Sequence, residues 1–349
     1  MRNLLFSTLI LCAFSCAQEV DESARSLEER LLKTRIEVKY LDTLHKTESG
    51  LYYMIQAKGS GALVQRENYL YVRYSDLDFF YENYMWGNDE NYNTVLMTSE
   101  EHVAKQLGVF SPTTYYGPVL WMAGVYSILE GIDEMVLTMR EGDKRRIWLP
   151  SWLSSYGYTG SAQQYSVSTI HDVEVLRVVP DIEKFQIDSL ESYRDKYYPG
   201  LDSLSYGFYK KTLVEGIGDT LTVGNRVSVR YIGRLLDHFI FDLNIADSAK
   251  RYNIYNSSNT YDALEGECQD DETIGYTNSD GTTGSLVKGF SKAIFNMKHN
   301  EEAVVFFISG LGYGTDKQGQ IQPLSPLVFY IKVERTNFEE GELNNLEDT

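Results

Sequence analysis

Apolar residues in this chain fall mostly at alternate positions, the spacing of half-buried strands. Leu221 and Val223, then Val227, Val229 and Tyr231, follow this rhythm on either side of Gly224-Asn225. That predicts two short strands joined by a turn. Residues 303–308 and 327–333 are further runs rich in β-forming side chains. The period changes over 286–297, where Phe290, Ile294 and Met297 share one helical face. Strands flanking one short helix predict an α+β unit, an antiparallel sheet curled around that helix. Another helix is predicted from Ile182, Phe185, Ile187, Leu190 and Tyr193, and Pro199-Gly200 ends it.

The pattern occurs twice. Gly50-Leu51-Tyr52 returns as Gly207-Phe208-Tyr209, Gly59-Ser60-Gly61 as Gly216-Ile217-Gly218, and Val72-Arg73-Tyr74 as Val229-Arg230-Tyr231, each 157 residues on. Gly131 and Met139 return as Gly289 and Met297 after 158, and Tyr156-Gly157 as Tyr313-Gly314 after 157. A period this long marks a duplicated domain and not a solenoid. It sets domains at 48–180 and 205–336, joined by a helical connector over 181–204. Residues 16–47 read as a charged helix or tether, and 337–349 as an acidic tail.

Composition narrows the function. With 43% apolar residues in 349, the chain can fill two cores. A net charge of -18 excludes a nucleic-acid partner, because phosphate binding needs a basic face. The 27 tyrosines favour strands and aromatic contact surfaces. At the N-terminus a basic head, Met1-Arg2-Asn3, precedes an apolar stretch over 4–14 that is too short to span a bilayer. Residues 1–15 therefore read as an export signal, with a buried strand as the alternative. Ala13-Phe14-Ser15-Cys16 resembles a bacterial lipobox. The resemblance implies a lipid-anchored N-terminus at Cys16. By the same resemblance Ala17 avoids the aspartate that retains some lipoproteins at the inner membrane, and Glu19, Asp21 and Glu22 are similar to a surface-export signal, with a solvated tether as the alternative. The expected location is the outer membrane, on its periplasmic or cell-surface face. Cys12 leaves with the signal and Cys16 takes lipid, so Cys268 stands alone and no internal disulfide is expected. The five histidines lack metal-ligand spacing, and no cofactor or metal is expected.

The second unit carries six motifs in sequence: Val229-Arg230-Tyr231-Ile232-Gly233, Phe241-Asp242, Leu286-Val287-Lys288-Gly289-Phe290, Tyr313-Gly314, Ile321-Gln322-Pro323 and Leu327-Val328-Phe329. Their order resembles the FKBP family of peptidyl-prolyl isomerases across nearly the whole unit. The resemblance implies two FKBP-like domains in tandem. It also implies a pocket made of Tyr231, Phe241, Asp242, Val287, Phe290, Tyr313, Ile321 and Phe329. Phe290 stands where the family usually has tryptophan, and Gln322 replaces one of two prolines. Singly, the apolar members are core candidates, the tyrosines structural and Asp242 a turn residue; joint placement is what points to a pocket. Prolyl isomerisation crosses a barrier of about 18–20 kcal/mol set by amide resonance, with no bond broken. Such a site needs no nucleophile and no metal, only preference for the twisted amide. Phe241, Phe290 and Phe329 would hold the proline ring and exclude water. Tyr313 would bind a carbonyl, and Asp242 would accept a hydrogen bond from Tyr231.

The first unit keeps Tyr74 and Tyr156-Gly157 but has no Phe-Asp pair in place, since Asp78-Phe79-Phe80 is reversed and misplaced. Ile132 replaces the aromatic floor, His171 stands in the place of Phe329, and no Ile-x-Pro loop follows. No catalysis is expected there. The aromatic stretch 79–86, Tyr115-Tyr116 and Trp121 suit a protein partner or a small local core. In the second unit, the long insertion 243–285 is polar, with Cys268-Gln269-Asp270-Asp271-Glu272 near its middle. It reads as a solvated acidic flap without calcium-loop spacing, and the sequence leaves open whether it covers the pocket. Asp-Ser/Thr triplets at Asp42, Asp188, Asp202, Asp219 and Asp247 resemble a short O-glycosylation signal and are equally ordinary turn residues. The expected function is an envelope foldase acting on proline-containing polypeptides. The alternative is a non-catalytic lipoprotein docked in an outer-membrane assembly or export complex.

Overall fold

Alternating burial along the strands builds two antiparallel sheets. The computed structural model describes residues 23–40, 43–78, 95–154, 168–270, 273–277, 281–295 and 297–335. The export signal with Cys16, the stretch 79–86, Tyr156-Gly157, Asp271-Glu272 and the tail 337–349 lie outside these residues. The first unit runs α1 (Ala24–Tyr40), β1 (Leu44–Lys46), β2 (Tyr52–Ala57), β3 (Tyr69–Asp78), β4 (Val95–Thr98), α2 (Glu101–Gln106), β5 (Val119–Met122), α3 (Glu130–Val136), β6 (Lys144–Leu149) and β7 (Thr169–Val179). The second runs α4 (Ile182–Tyr197), β8 (Phe208–Val214), β9 (Arg226–Leu235), β10 (Ile240–Leu243), α5 (Ala246–Arg251), β11 (Leu264–Asp270), β12 (Thr273–Thr277), β13 (Thr283–Ser285), α6 (Lys288–Phe295), β14 (Glu302–Phe307) and β15 (Leu327–Arg335).

The two sheets share one central order. In the first it is β2-β6-β7-β3, and in the second β8-β14-β15-β9 read from the other end. The registers agree as well. Leu149 faces Thr169 as Phe307 faces Leu327, and Val72 faces Val119 as Val229 faces Leu264. Each sheet therefore closes over its helix in the same way. Ile132, Met135 and Val136 of α3 are buried against Leu70, Val72 and Ile147. Phe290, Ala293 and Ile294 of α6 are buried against Val229, Val305, Phe307 and Ile331. The helices lie so close to the strands that a Cβ on Gly289 would stand 2.6 Å from the Phe307 ring. Only glycine fits there.

The outer faces of the sheets are covered too. Leu32 and Ile36 of α1 pack on Tyr52, Trp148 and Ile170, and Leu190 and Tyr193 of α4 pack on Tyr209, Val304, Phe306 and Val328. Full burial of such side chains contributes about 1.5–3 kcal/mol each. Both helices also satisfy a buried amide in the short 3-10 turn that follows a strand of their sheet. The Ser151 N–H donates to Glu28 at 2.8 Å, and the Ser309 N–H donates to Gln186 at 2.8 Å. The helix expected as a connector thus belongs structurally to the second sheet, while its Phe185 also meets Tyr71 of the first unit at 5.6 Å.

Several expectations change. The run 221–223 is not a strand; Leu221 is buried in the core through its loop, and regular pairing begins at Arg226. The insertion is not a solvated flap. Its β11 pairs with β9, and β12 and β13 extend the same sheet. Cys268 is a free thiol in the core. Trp121 packs on Tyr74 at 5.3 Å, and Tyr115 packs into the second unit's core, so neither is a free docking aromatic.

Candidate active site

Strand β9 places Tyr231 and Gly233 on its inner face, two residues apart, as the period of a strand requires. A Cβ on Gly233 would sit 2.5 Å from the Phe241 ring and 2.9 Å from the Phe329 ring. The glycine is what lets these two rings close over the strand. Phe241 and Asp242 are neighbours, and a regular strand would send them to opposite faces. The β9–β10 pairing shifts register between Ile240 and Asp242, and this irregularity turns both towards one cavity. Just beyond β10, the buried Asn244 side chain donates to the Val229 carbonyl at 2.9 Å and accepts from the Tyr231 N–H at 2.7 Å. A side chain thereby continues the ladder where the strand stops, and it fixes the backbone that carries Asp242.

Phe290 comes from α6 and Phe329 from β15, and both are nearly fully buried. Their centroids lie 4.8 Å apart at 72°, Phe241 meets Phe329 at 5.6 Å and 84°, and Tyr231 meets Phe290 at 5.5 Å and 79°. These edge-to-face contacts stabilise the cluster by about 0.5–1.5 kcal/mol per pair beyond area burial. The result is a rigid aromatic box in a cavity of about 450 Å³. Of the residues expected at the site, Tyr231, Phe241, Asp242, Val287, Phe290, Tyr313 and Phe329 line this cavity. Ile321 does not. It is buried in the core cluster beside the box.

The polar rim centres on Asp242. Tyr231 Oη donates to Asp242 Oδ2 at 2.6 Å. Burial, and then the adjacent Asp242 charge, pushes the Tyr231 phenol well above the usual tyrosine range. Burial also raises Tyr313, followed by the charge of Asp242. Both hydroxyls are therefore protonated donors at neutral pH.

The remaining wall was not foreseen. Leu264, Tyr276 and Ser285 come from β11, β12 and β13, so the insertion lines the cavity and leaves it open between Phe241, Phe290 and Tyr313. A Cβ on Gly284 would stand 2.7 Å from the Tyr276 hydroxyl, so the tyrosine lies flat across its neighbouring strand. Nothing in the polar sequence around Tyr276 marks it as a wall residue. Gly233 did carry a signal, its place two residues after Tyr231 on the same strand.

The first unit fills the equivalent space with polar groups. Asp76 faces Met97 and His171 in register, as Gly233 faces Asp242 and Phe329. Asp76 Oδ1 and His171 Nδ1 are 2.6 Å apart, and His171 Nε2 lies 2.7 Å from Thr169 Oγ1. Tyr74, the counterpart of Tyr231, reaches Met97 Sδ at 3.0 Å in place of a carboxylate. With Ile132 where Phe290 stands, the aromatic box is replaced by a hydrogen-bonded pair.

Residues 218–334 match the family of FKBP-type peptidyl-prolyl cis-trans isomerases. No curated protein matches the chain. Among solved structures, the three FKBP domains of wheat FKBP73 are 16% identical, with 83% of this chain and 95% of that one covered and a TM-score of 0.27. A peptidyl-prolyl cis-trans isomerase from Pseudomonas syringae pv. tomato is 22% identical, covering 44% of this chain and 94% of its own, with a TM-score of 0.29. FkpA from Escherichia coli is 21% identical, covering 44% and 62%, with a TM-score of 0.30. The family match falls on the stretch of the second unit that holds the aromatic box.

Proposed function

We propose that the second unit is a working peptidyl-prolyl cis-trans isomerase, that proline-containing polypeptides are its substrates, and that the first unit is a non-catalytic partner domain. The aromatic box with its Tyr231–Asp242 rim carries this reading. A prolyl ring held by Phe241, Phe290 and Phe329 leaves water behind, and the planar amide loses the solvent hydrogen bonds that favour it. Tyr313 offers a protonated donor to a carbonyl as the amide twists. Asp242 holds Tyr231 in place, which keeps the rim shaped for an extended chain.

A proline-limited refolding assay on the chain from Ala17 onward tests the reading. Wild type should accelerate the slow phase, and Asp242→Ala and Phe290→Ala should each remove at least about nine-tenths of that acceleration. No acceleration by wild type, or equal rates in all three, would sink the catalytic proposal.

We also propose that the protein works in the cell envelope, tethered to the outer membrane by lipid on Cys16. The lipobox-like Ala13-Phe14-Ser15-Cys16 motivates this. Labelled palmitate should enter the native protein and be absent from Cys16→Ser; label retained by that variant would refute the anchor.

A further inference from the structure

Tyr115 belongs to the first unit in sequence and to both cores by packing. Its ring meets Phe239 of the second unit at 5.3 Å and 67°. Its phenol donates to the Pro118 carbonyl at 3.2 Å. Its backbone N–H donates to Gln320 Oε1 at 2.9 Å. Burial, and then the charge of Asp237, raises the phenol far above the ordinary tyrosine range, so the group stays neutral in this contact.

Gln320 sits at the tip of a tight turn. The Gln318 N–H donates to the Ile321 carbonyl at 3.1 Å, the Ile321 N–H donates back at 2.8 Å, and Gly319 supplies the positive φ of 55°. Gln318 lines the cavity, and Ile321 is buried beneath it. The Leu324 N–H then donates to the Gly314 carbonyl at 2.7 Å, tying the loop to the residue after Tyr313. Residues 315–320 are otherwise exposed. A loop with so little buried surface opens easily unless something outside it holds it. Here the holder is the first unit. Beyond the turn, Pro323 and Pro326 line a narrow interdomain cleft together with Phe185 of α4, and Tyr115 and Pro118 of the first unit line it too.

We infer that the first unit acts on the second unit's site, with Tyr115 as a positioning residue that grips the turn carrying Gln318 and Ile321. A pocket whose loop is already held spends less binding energy on ordering it. The grip should therefore appear in KM more than in kcat. It also gives the first unit a role that does not depend on its own altered pocket. The inference rests on the proposed isomerase site for its kinetic consequence, but the grip itself can be read without any activity.

The test uses the full chain and three variants. Tyr115→Ala removes the ring that seats the donor, Gln320→Ala removes the acceptor without touching the first unit, and Tyr115→Phe keeps the ring and the N–H. Amide hydrogen exchange at Gln318, Ile321 and Leu324 should speed up about fivefold in both alanine variants, the loss of one modest hydrogen bond, and stay within about twofold in Tyr115→Phe. KM for an Xaa-Pro peptide should rise by a similar factor with kcat nearly unchanged. Unchanged exchange and unchanged KM in folded Gln320→Ala would overturn the inference, even if Tyr115→Ala fails to fold. If wild type shows no isomerase activity, the proposed function falls, and the exchange measurement still decides the grip.

Discussion

Gly233 and Asp76 occupy the same register on equivalent strands, one within an aromatic box and the other within a polar pair. On Gly233 any Cβ would meet the Phe241 and Phe329 rings at 2.5 and 2.9 Å. Gly233→Ala should therefore push Phe241 into the cavity. Overpacking of this kind costs about 1–3 kcal/mol. The expected result is at least about a tenfold loss of isomerase rate with a modest fall in melting temperature, read by parallel activity and thermal unfolding. An unchanged rate would mean the two rings do not form the prolyl box. Most of the cavity lining was legible residue by residue, because aromatic and acidic side chains at motif positions announce themselves. Gly233 was legible only as part of a motif, since a residue that acts by lacking a side chain leaves no chemical signature. Ile321 misled for the opposite reason: a buried aliphatic residue looks alike in sequence whether it lines a pocket or supports one.

At the scale of elements, α1 and α4 do the same work twice. Each lays an apolar stripe on the outer face of a sheet and satisfies one serine amide in the turn after a strand. The sequence shows the stripe on α4 plainly, through Leu190 and Tyr193. It does not show the polar contact, because Gln186 looks like any solvent-facing helix residue. Gln186→Ala would leave the buried Ser309 N–H without its acceptor, which costs about 1–3 kcal/mol. Chemical denaturation followed by a second-unit probe should show this as a lower midpoint with an unchanged slope. A midpoint equal to wild type would mean that the amide finds another acceptor. The insertion shows the limit of pattern reading from the other side. β12 and β13 are short, polar and glycine-containing, so they carry almost no alternating signal. β12 forms on the edge that β11 offers, and β13 on the edge of β12, a tertiary cause that no local window contains.

Across the whole molecule, duplication followed by divergence predicts an asymmetric response to damage. The central strands match in order, yet one box is aromatic and the other is closed by Asp76 and His171. His171 is nearly fully buried and hydrogen-bonded at both ring nitrogens, so His171→Leu removes two partners at once. Asp76 remains about a quarter exposed, and water can take up part of what it loses. The first unit should lose about 1–3 kcal/mol of stability. Its change should leave the isomerase rate alone, because no group of that pair borders the second unit's cavity. Asp242→Ala in the same chain should do the reverse, with little loss of stability at an exposed position and most of the rate gone. Calorimetry resolving two transitions, run beside the refolding assay, separates these outcomes. If His171→Leu slowed catalysis as much as Asp242→Ala, the chemistry would not be confined to the second unit. If it slowed catalysis only by loosening the loop around Gln318, the fault would have travelled through Tyr115, and Gln320→Ala would reproduce it with the first unit untouched.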